Sequence, residues 1–460
     1  RLLVAEGAAL TEFFWHSGIE NLTLHDFCEE RFFAKNFSLY HSHLPAKERV
    51  KKIKFLRDVP APHHFKNEYL KNIESADIIF AGQGWYRYPE NSPKLTSAHK
   101  KGVPFETIIN VYLDNFPGTK IGITGSNGKT TTTTLIYHIL SQLSKAKIIK
   151  GCVSVAGNER FMGQSLDKIE TAAKKDILVL EISNRQLKSV GKSEADFAVI
   201  TNITPNHISE HKGFADYART KLQLAKNAVT ILNDDAGTKK YYNSKVAKRT
   251  VSFMDNAALL KKFKVERGDL HLRGKHNGEN LLAVLTFLEE FGKEKRYDFY
   301  SAKSTRAIKE AISSYRALPK RLEDIGATKG IHIINDLGST TAISTLGALE
   351  SFSGKALSLV LGGDHKGDDF IRLALEIKRL HKNNRLKKLF VLPGTVKKKV
   401  SSLAKDLKMD FTPISSFEEI AQKFLSQKEL GSYLLISPAG EYVISKYLKN
   451  TSIEKIFLRR

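Results

Sequence analysis

The stretch Gly122–Leu143, GITGSNGKTTTTTLIYHILSQL, decides how the rest of the chain is read. An apolar strand, expected over Thr119–Thr124, runs into glycines, a lysine, the threonine run Thr130–Thr134 and a helix with spaced apolar residues. This is the layout of a phosphate-binding loop, where backbone N–H groups wrap phosphate oxygens and the helix N-terminus adds its positive dipole end. The spacing departs from the strict G-x-x-x-x-G-K-[ST] form. Five positions before Gly128 stands Ile123, and the glycines fall at Gly122 and Gly125 instead. A glycine-rich turn before a helix also occurs without any ligand. The threonines argue against that here, because β-branched residues are mediocre helix formers. On this reading Gly125, Ser126, Asn127 and Gly128 cradle phosphate, Lys129 serves the β- and γ-phosphates, and Thr130, followed by Thr131, is placed for a Mg²⁺.

A chain of 460 residues suggests about three domains. At 41% hydrophobic it can bury sizeable cores and is not a disordered chain. No apolar run approaches the roughly 18 to 20 residues of a membrane span, and no signal peptide is expected. The chain opens on Arg1, inside what reads as a strand, which leaves room for residues upstream. Cys28 and Cys152 have no metal-ligand spacing, so a reducing cytoplasm is the expected location. The net charge of +24 raises the question of nucleic acid. The lysines are scattered, however, as in HKNNRLKK and TVKKKVSSLAKDLK, and no nucleic-acid module is evident. The charge reads as a preference for anionic small molecules, without a nucleic-acid partner.

Short apolar runs alternate with helical patterns throughout, which predicts an α/β protein built on parallel sheets. Three domains are expected. Residues 1–117 read as a Rossmann-like first domain with Asp26 after its second strand, residues 118–316 as a central ATPase-type domain, and residues 317–460 as a Rossmann-like third. The central segment carries DILVLEIS, FAVITNIT and AVTILN; the third carries GIHIIND, ALSLVLGGD, KKLFVLPG and SYLLISPAG.

DILVLEIS delivers Glu181 at the carboxyl end of a buried strand, where ligands of open parallel sheets sit. A carboxylate there can hold Mg²⁺, although a strand-end turn also tolerates a plain surface glutamate. The next strand ends in a polar turn bearing His207, and Lys221 follows on a helix. A lone histidine is more often structural than a ligand; its place beside Glu181 and Lys221 favours the site.

The segments GITGSNGKTTT, LEIS, NITPNHISEHKGFADYARTK, GKHNGEN, LPKRLE, INDLGST and LGGDHKGDDF occur in an order and spacing that resemble the Mur ligases, from about Gly118 to Ala439. The family's shorter T-G-x-x-G-K-T loop accounts for the unusual glycine spacing. ALPKRLE after GKHNGEN is most similar to the branch adding D-glutamate to UDP-N-acetylmuramoyl-L-alanine. The resemblance implies ATP and two Mg²⁺ ions as cofactors, and UDP-linked muramoyl peptide and a D-amino acid as substrates of a monomer. It implies that Lys129 and Thr130 hold ATP phosphates and Mg²⁺, that Glu181 holds Mg²⁺, and that His207 and a carbamylated Lys221 frame a second Mg²⁺. A free ammonium would repel the cation, whereas a carbamate is an anionic oxygen ligand. Asn277 and Asn280 fall where adenine is contacted, while Arg321 and Asp336 close over ATP from the third domain. Asn158 and His207 face the muramoyl peptide. Thr340, Lys366, Ser437, Tyr442 and Lys446 are the candidates for the amino-acid pocket. The implied chemistry moves the γ-phosphoryl group onto a carboxylate and lets an amine displace phosphate from the acyl phosphate.

Three departures bear on the substrates. In INDLGST, Leu337 and Gly338 replace the serine and lysine of the family's NDSKAT. SPAGEYVISKY keeps Ser437, Pro438 and Ala439 but puts Tyr442, Ile444 and Lys446 where serine, an acid and phenylalanine are usual. Near the N-terminus Leu2 and Val4 stand where glycines would approach a uridine diphosphate, with only Gly7 in place. A different amino acid or acceptor, including a folylpolyglutamate-type one, remains an alternative, as does a nucleotide-binding module with degraded catalysis.

Overall fold

The computed structural model describes residues 6–41, 44–82, 92–158, 166–188, 191–206, 208–254, 258–316, 318–367, 369–408, 410–425, 430–441, 443–448 and 451–458. Leu2, Val4, His207 and Tyr442 lie outside the described residues. In the first segment β1 (Leu24–Asp26) pairs with β2 (His63–Phe65), and β3 (Ile79–Phe80) with β4 (Phe105–Glu106), both parallel.

The central segment forms a six-stranded parallel sheet from β5 (Thr119–Thr124), β6 (Val153–Gly157), β7 (Ile177–Glu181), β8 (Phe197–Ile200), β9 (Val229–Leu232) and β10 (Arg249–Ser252). Its order is β10-β9-β8-β5-β7-β6. Strand side chains alternate between faces, so these apolar runs supply two cores at once. Ile121, Ile123, Val179, Phe197, Val199 and Ile231 face the helices Lys129–Lys145 and Lys275–Lys295. Leu178, Leu180 and Ala198 face the other way, against the helix Ile108–Asn115 and Leu10 of the helix Glu6–His16. Elements that precede residue 118 therefore share a core with the central sheet. Inside it the Gln186 Nε2 donates to Glu6 Oε1 at 2.7 Å, satisfying a buried carboxylate.

The third segment gives a mixed sheet of β11 (Glu323–Thr328), β12 (Ile331–Asn335), β13 (Leu357–Leu361), β14 (Leu386–Val391), β15 (Thr412–Pro413) and β16 (Tyr433–Ile436). Its order is β11-β12-β16-β13-β14-β15, with only β11 antiparallel among these pairings. Four of these strands were the apolar runs of the sequence. The edges β11 and β15 were not anticipated, since the first is polar and half-exposed and the second is two residues long.

The helix Lys275–Lys295 carries the aromatic centre of the central core. Phe291 is 5.4 Å from Phe287, 5.5 Å from Phe197 and stacked on Phe299 at 6.3 Å between ring centroids. It is 1% exposed, so no water can refill a truncated site without meeting apolar walls. Phe291→Ala is expected to cost about 3–5 kcal/mol, measured as a lower denaturant midpoint followed by circular dichroism.

Candidate active site

The carboxyl ends of β5, β7 and β8 open into one cleft of about 1180 Å³, closed on its other side by residues of the third segment. The loop after β5 is held by the chain leaving β8. Ser126 N–H donates to the Asn202 carbonyl at 2.8 Å, and Asn127 N–H to Asn202 Oδ1 at 2.9 Å. Thr201 Oγ1 donates to the Asn127 carbonyl at 2.5 Å, and Ser126 Oγ to that of Thr204 at 2.8 Å. Two glycines here have no alternative. A Cβ on Gly125 would lie 1.9 Å from Thr201 Oγ1, and one on Gly128, whose φ is +79°, 2.5 Å from Asn280 Oδ1. Ser126 to Thr131 line the cleft, with Gly125 just behind.

The threonines divide by direction. Thr130 lines the cleft, Thr134 donates to the Thr130 carbonyl at 2.8 Å and meets Tyr315 Oη at 2.6 Å, and the buried Thr132 and Thr133 hydroxyls have no partner. Only the first two of the run thus face the cleft; the others pack.

Lys129 Nζ turns back onto the carbonyls of Gly125 and Ser126, both at 3.0 Å. Burial, reinforced by the charges of Arg321 and Lys366 and opposed by Glu181, pushes its pKa down to about 8. Lys221 is 1% exposed, with Nζ 3.4 Å from Thr124 Oγ1 and 5.1 Å from the Tyr217 ring centroid. Burial first, then the charge of Lys129, holds its pKa well below the usual lysine range. Glu181 is equally buried. Its Oε1 accepts from Asn158 Nδ2 at 2.8 Å, while Oε2 is buried without a partner. Such an oxygen fits a hard cation. Among the described residues no group of three or more His, Cys, Asp or Glu could hold a metal ion. A Mg²⁺ at Glu181 would need further oxygen ligands, and the Thr130 hydroxyl lines the same cleft.

Across the cleft, Arg321 Nη1 donates to the Gly338 carbonyl at 2.9 Å. A Cβ at Gly338 would come 2.7 Å from Arg321 Cζ. The guanidinium thus fills the room a side chain at 338 would need. Asp336 is fully enclosed. Burial raises its pKa to about 6, against hydrogen bonds from Ser339 and Ser437 and the charge of Arg321. Asn280 Nδ2 donates to Asn277 Oδ1 at 3.1 Å, so the two asparagines form one unit beside Gly128. Lys366 Nζ donates to Thr340 Oγ1 at 2.9 Å.

Two residues expected in the amino-acid pocket lie elsewhere. Ser437 is fully buried and donates to Asp336 Oδ2 at 2.7 Å, so it orients the aspartate from behind. Lys446 pairs with Asp364 at 2.7 Å and is not among the residues lining the cleft. The reason is geometric: sequence alone does not tell which way Ser437, just after β16, or Lys446, in the short helix Val443–Tyr447, directs its side chain. Sequence reasoning also missed Glu441, which pairs with Lys366 at 2.9 Å in the cleft, and Tyr217, whose hydroxyl meets Ser126 Oγ at 2.9 Å. It missed the Arg185–Glu210 pair, 2.6 Å at Nε, which braces the segment beside Lys221. Only Glu441 carried a signal, as an acid in an otherwise small-residue turn.

The Lys129 burial has a stability consequence. Between its folded pKa, about 8, and the ordinary 10.5, the unfolded chain binds a proton that the folded chain has lost. Stability contributed at this position thus rises with pH through that window, and the full penalty applies below pH 8. Lys129→Met is expected to stabilise the protein near pH 7 by about 1–3 kcal/mol, with the gain fading as pH approaches 10. Urea denaturation at a series of pH values checks this; a gain independent of pH would contradict it.

Residues 123–288 match the model of the Mur ligase middle domain. A UDP-N-acetylmuramoylalanine--D-glutamate ligase of Streptococcus agalactiae is 28% identical over 368 residues, covering 76% of each chain. The enzyme of the same name from Caldicellulosiruptor bescii is 28% identical over 392 residues, 80% of this chain and 79% of its own. Among solved structures, the UDP-N-acetylmuramate-alanine ligase of Thermotoga maritima covers 96% of both chains at 16% identity with a TM-score of 0.54. A MurF ligase from Thermotoga maritima, in complex with ADP, covers 83% of this chain and 95% of its own at 17% identity and a TM-score of 0.51. These two show the shared fold. A matched middle domain, relatives of that name over about three quarters of the chain, and a phosphate loop facing Glu181 and Lys221 across one cleft are what this chain shares with the Mur ligases, the ATP-dependent ligases of peptidoglycan-precursor synthesis.

Proposed function

We propose that the protein adds D-glutamate to UDP-N-acetylmuramoyl-L-alanine at the expense of ATP. The observation that carries this reading is the cleft itself, where Lys129, Glu181 and Lys221 of the central sheet face Arg321, Asp336, Thr340 and Lys366 of the third segment. The D-glutamate assignment draws on the relatives that carry that name over about three quarters of this chain.

A carboxylate is a poor electrophile, and amide formation needs it converted to an acyl phosphate. In this reading the loop N–H groups and Lys129 hold the β- and γ-phosphates, and Arg321 approaches the same charge from the opposite wall. Asn277 and Asn280 take the adenine. Asn158, already bonded to Glu181, is positioned to hold the muramoyl peptide beside the phosphates. Mg²⁺ held by Thr130, Glu181 and Lys221, with His207 as a further candidate, would supply charge neutralisation. Lys221 suits carbamylation, since a neutral amine can attack CO₂, forming an N–C bond and releasing a proton, while an ammonium has no free pair. Thr340 and Lys366 would receive the amino acid, whose amine displaces phosphate. Closure of the third segment over the cleft would keep water from the acyl phosphate. The reading takes residues 1–117 for the uridine nucleotide, 118–316 for ATP and 317–460 for the amino acid.

The test is phosphate release from ATP with UDP-N-acetylmuramoyl-L-alanine and a panel of amino acids, with the product identified by mass. D-glutamate should be the preferred nucleophile; preference for another amino acid or acceptor would replace the assignment. Lys221→Ala is expected to lose at least about 100-fold in kcat/KM, the scale of a lost electrostatic contact in the transition state. Added formate or acetate should partly restore it. Full activity of this variant in CO₂-depleted buffer would remove the carbamate from the scheme.

A further inference from the structure

At the amino-acid end of the cleft, a carboxylate of the chain itself stands on the cation. Lys366 Nζ lies 2.9 Å from Glu441 Oε1 and 2.9 Å from Thr340 Oγ1, and all three residues line the cleft. The pair is largely screened from solvent, with side chains 11% and 20% exposed. The turn that carries Glu441 is fixed by its backbone. Asp364 N–H donates to the Glu441 carbonyl at 3.1 Å and Glu441 N–H to that of Asp364 at 2.8 Å, with the Lys446–Asp364 ion pair alongside. The ammonium is shared between the Glu441 carboxylate and the Thr340 hydroxyl, so Glu441 makes on Lys366 the contact that the carboxylate of an amino acid would make there.

We propose that Glu441 is a specificity-determining residue: its carboxylate occupies Lys366 as a substitute for a substrate carboxylate, and an acidic amino acid binds by displacing it. This rests on the ligase reading above. The displaced carboxylate repels a second negative charge in a partly enclosed site, so Glu441 weakens acidic ligands and leaves neutral ones little affected. It raises the threshold that an acidic amino acid must pass rather than supplying affinity.

The experiment uses the full chain as wild type, Glu441→Gln, Lys366→Met and the double variant. Phosphate release and product mass are measured with ATP, UDP-N-acetylmuramoyl-L-alanine and either D-glutamate or its neutral isostere D-glutamine. Glu441→Gln should lower KM for D-glutamate about three- to tenfold, the range of a partly screened charge contact. The KM for D-glutamine and for ATP should not fall, and in the Lys366→Met background the substitution should have no effect on D-glutamate. A wild type that uses D-glutamate and a Glu441→Gln variant with equal or higher KM would overturn the assignment and leave the ligase reading standing. If the wild type prefers a neutral amino acid, the D-glutamate reading fails. Glu441 then keeps its role only if Glu441→Gln shifts preference toward D-glutamate, and loses it otherwise. Calorimetric titration of D-glutamate gives the same comparison without turnover: tighter binding by Glu441→Gln supports the proposal, and equal or weaker binding overturns it.

Discussion

The parallel register of β5 between β7 and β8 is the constraint on which the cleft depends. It sets Ile123 opposite Glu181 on one side and Thr124 opposite Ile200 on the other. Glu181 therefore arrives at the level where β5 ends and the phosphate loop begins, and Thr201 and Asn202 arrive where they can clamp Asn127. A slip of one residue in either pairing would exchange the faces of every strand side chain involved. Ile177 and Val179 would leave the core they share with Phe287, and the Glu181 carboxylate would leave the cleft. Apolar alternation on both faces of the sheet thus specifies the placement of the polar atoms at its edge.

The cleft buries Lys129 and Lys221 close to one another, and desolvation with the neighbouring positive charges holds both below the usual lysine range. Such an arrangement is costly in the free protein and favourable around a polyanion, so folding stability is given up for recognition. The buried and unpartnered Oε2 of Glu181 belongs to the same balance, as an oxygen open to a cation or a hydrogen-bond donor brought by a ligand. The stacked aromatic rings beneath the sheet and the double-sided core are the compensation elsewhere in the fold.

Local signals carried most of what the sequence revealed. The loop Gly125–Thr131, the strand ending in Glu181 and the helix bearing Lys221 are each defined within a few residues, so spacing and periodicity sufficed to find them. Asn277, Asn280, Arg321 and Asp336 came from resemblance, and the structure brings all four to the one cleft. What failed was long-range. Ser437 is opposite Asp336 in the fold but far from it in sequence, and its hydroxyl points inward. Lys446 meets Asp364, a partner no spacing rule indicates. The helix Ile108–Asn115 packs under the central sheet and shares that core with Phe80 of β3, because the apolar face of a helix names no partner.

Arg321 lying against Gly338 makes two positions mutually dependent. A lysine at 338, the residue usual in the family's motif, and the present course of the Arg321 side chain exclude each other, since the first added carbon would already overlap the guanidinium. Restoring the lysine alone creates a clash, and moving Arg321 alone abandons its hydrogen bond to the Gly338 carbonyl. A side chain at 338 therefore comes only with a turned Arg321, so the residue at 338 and the place of the guanidinium over the cleft are set together.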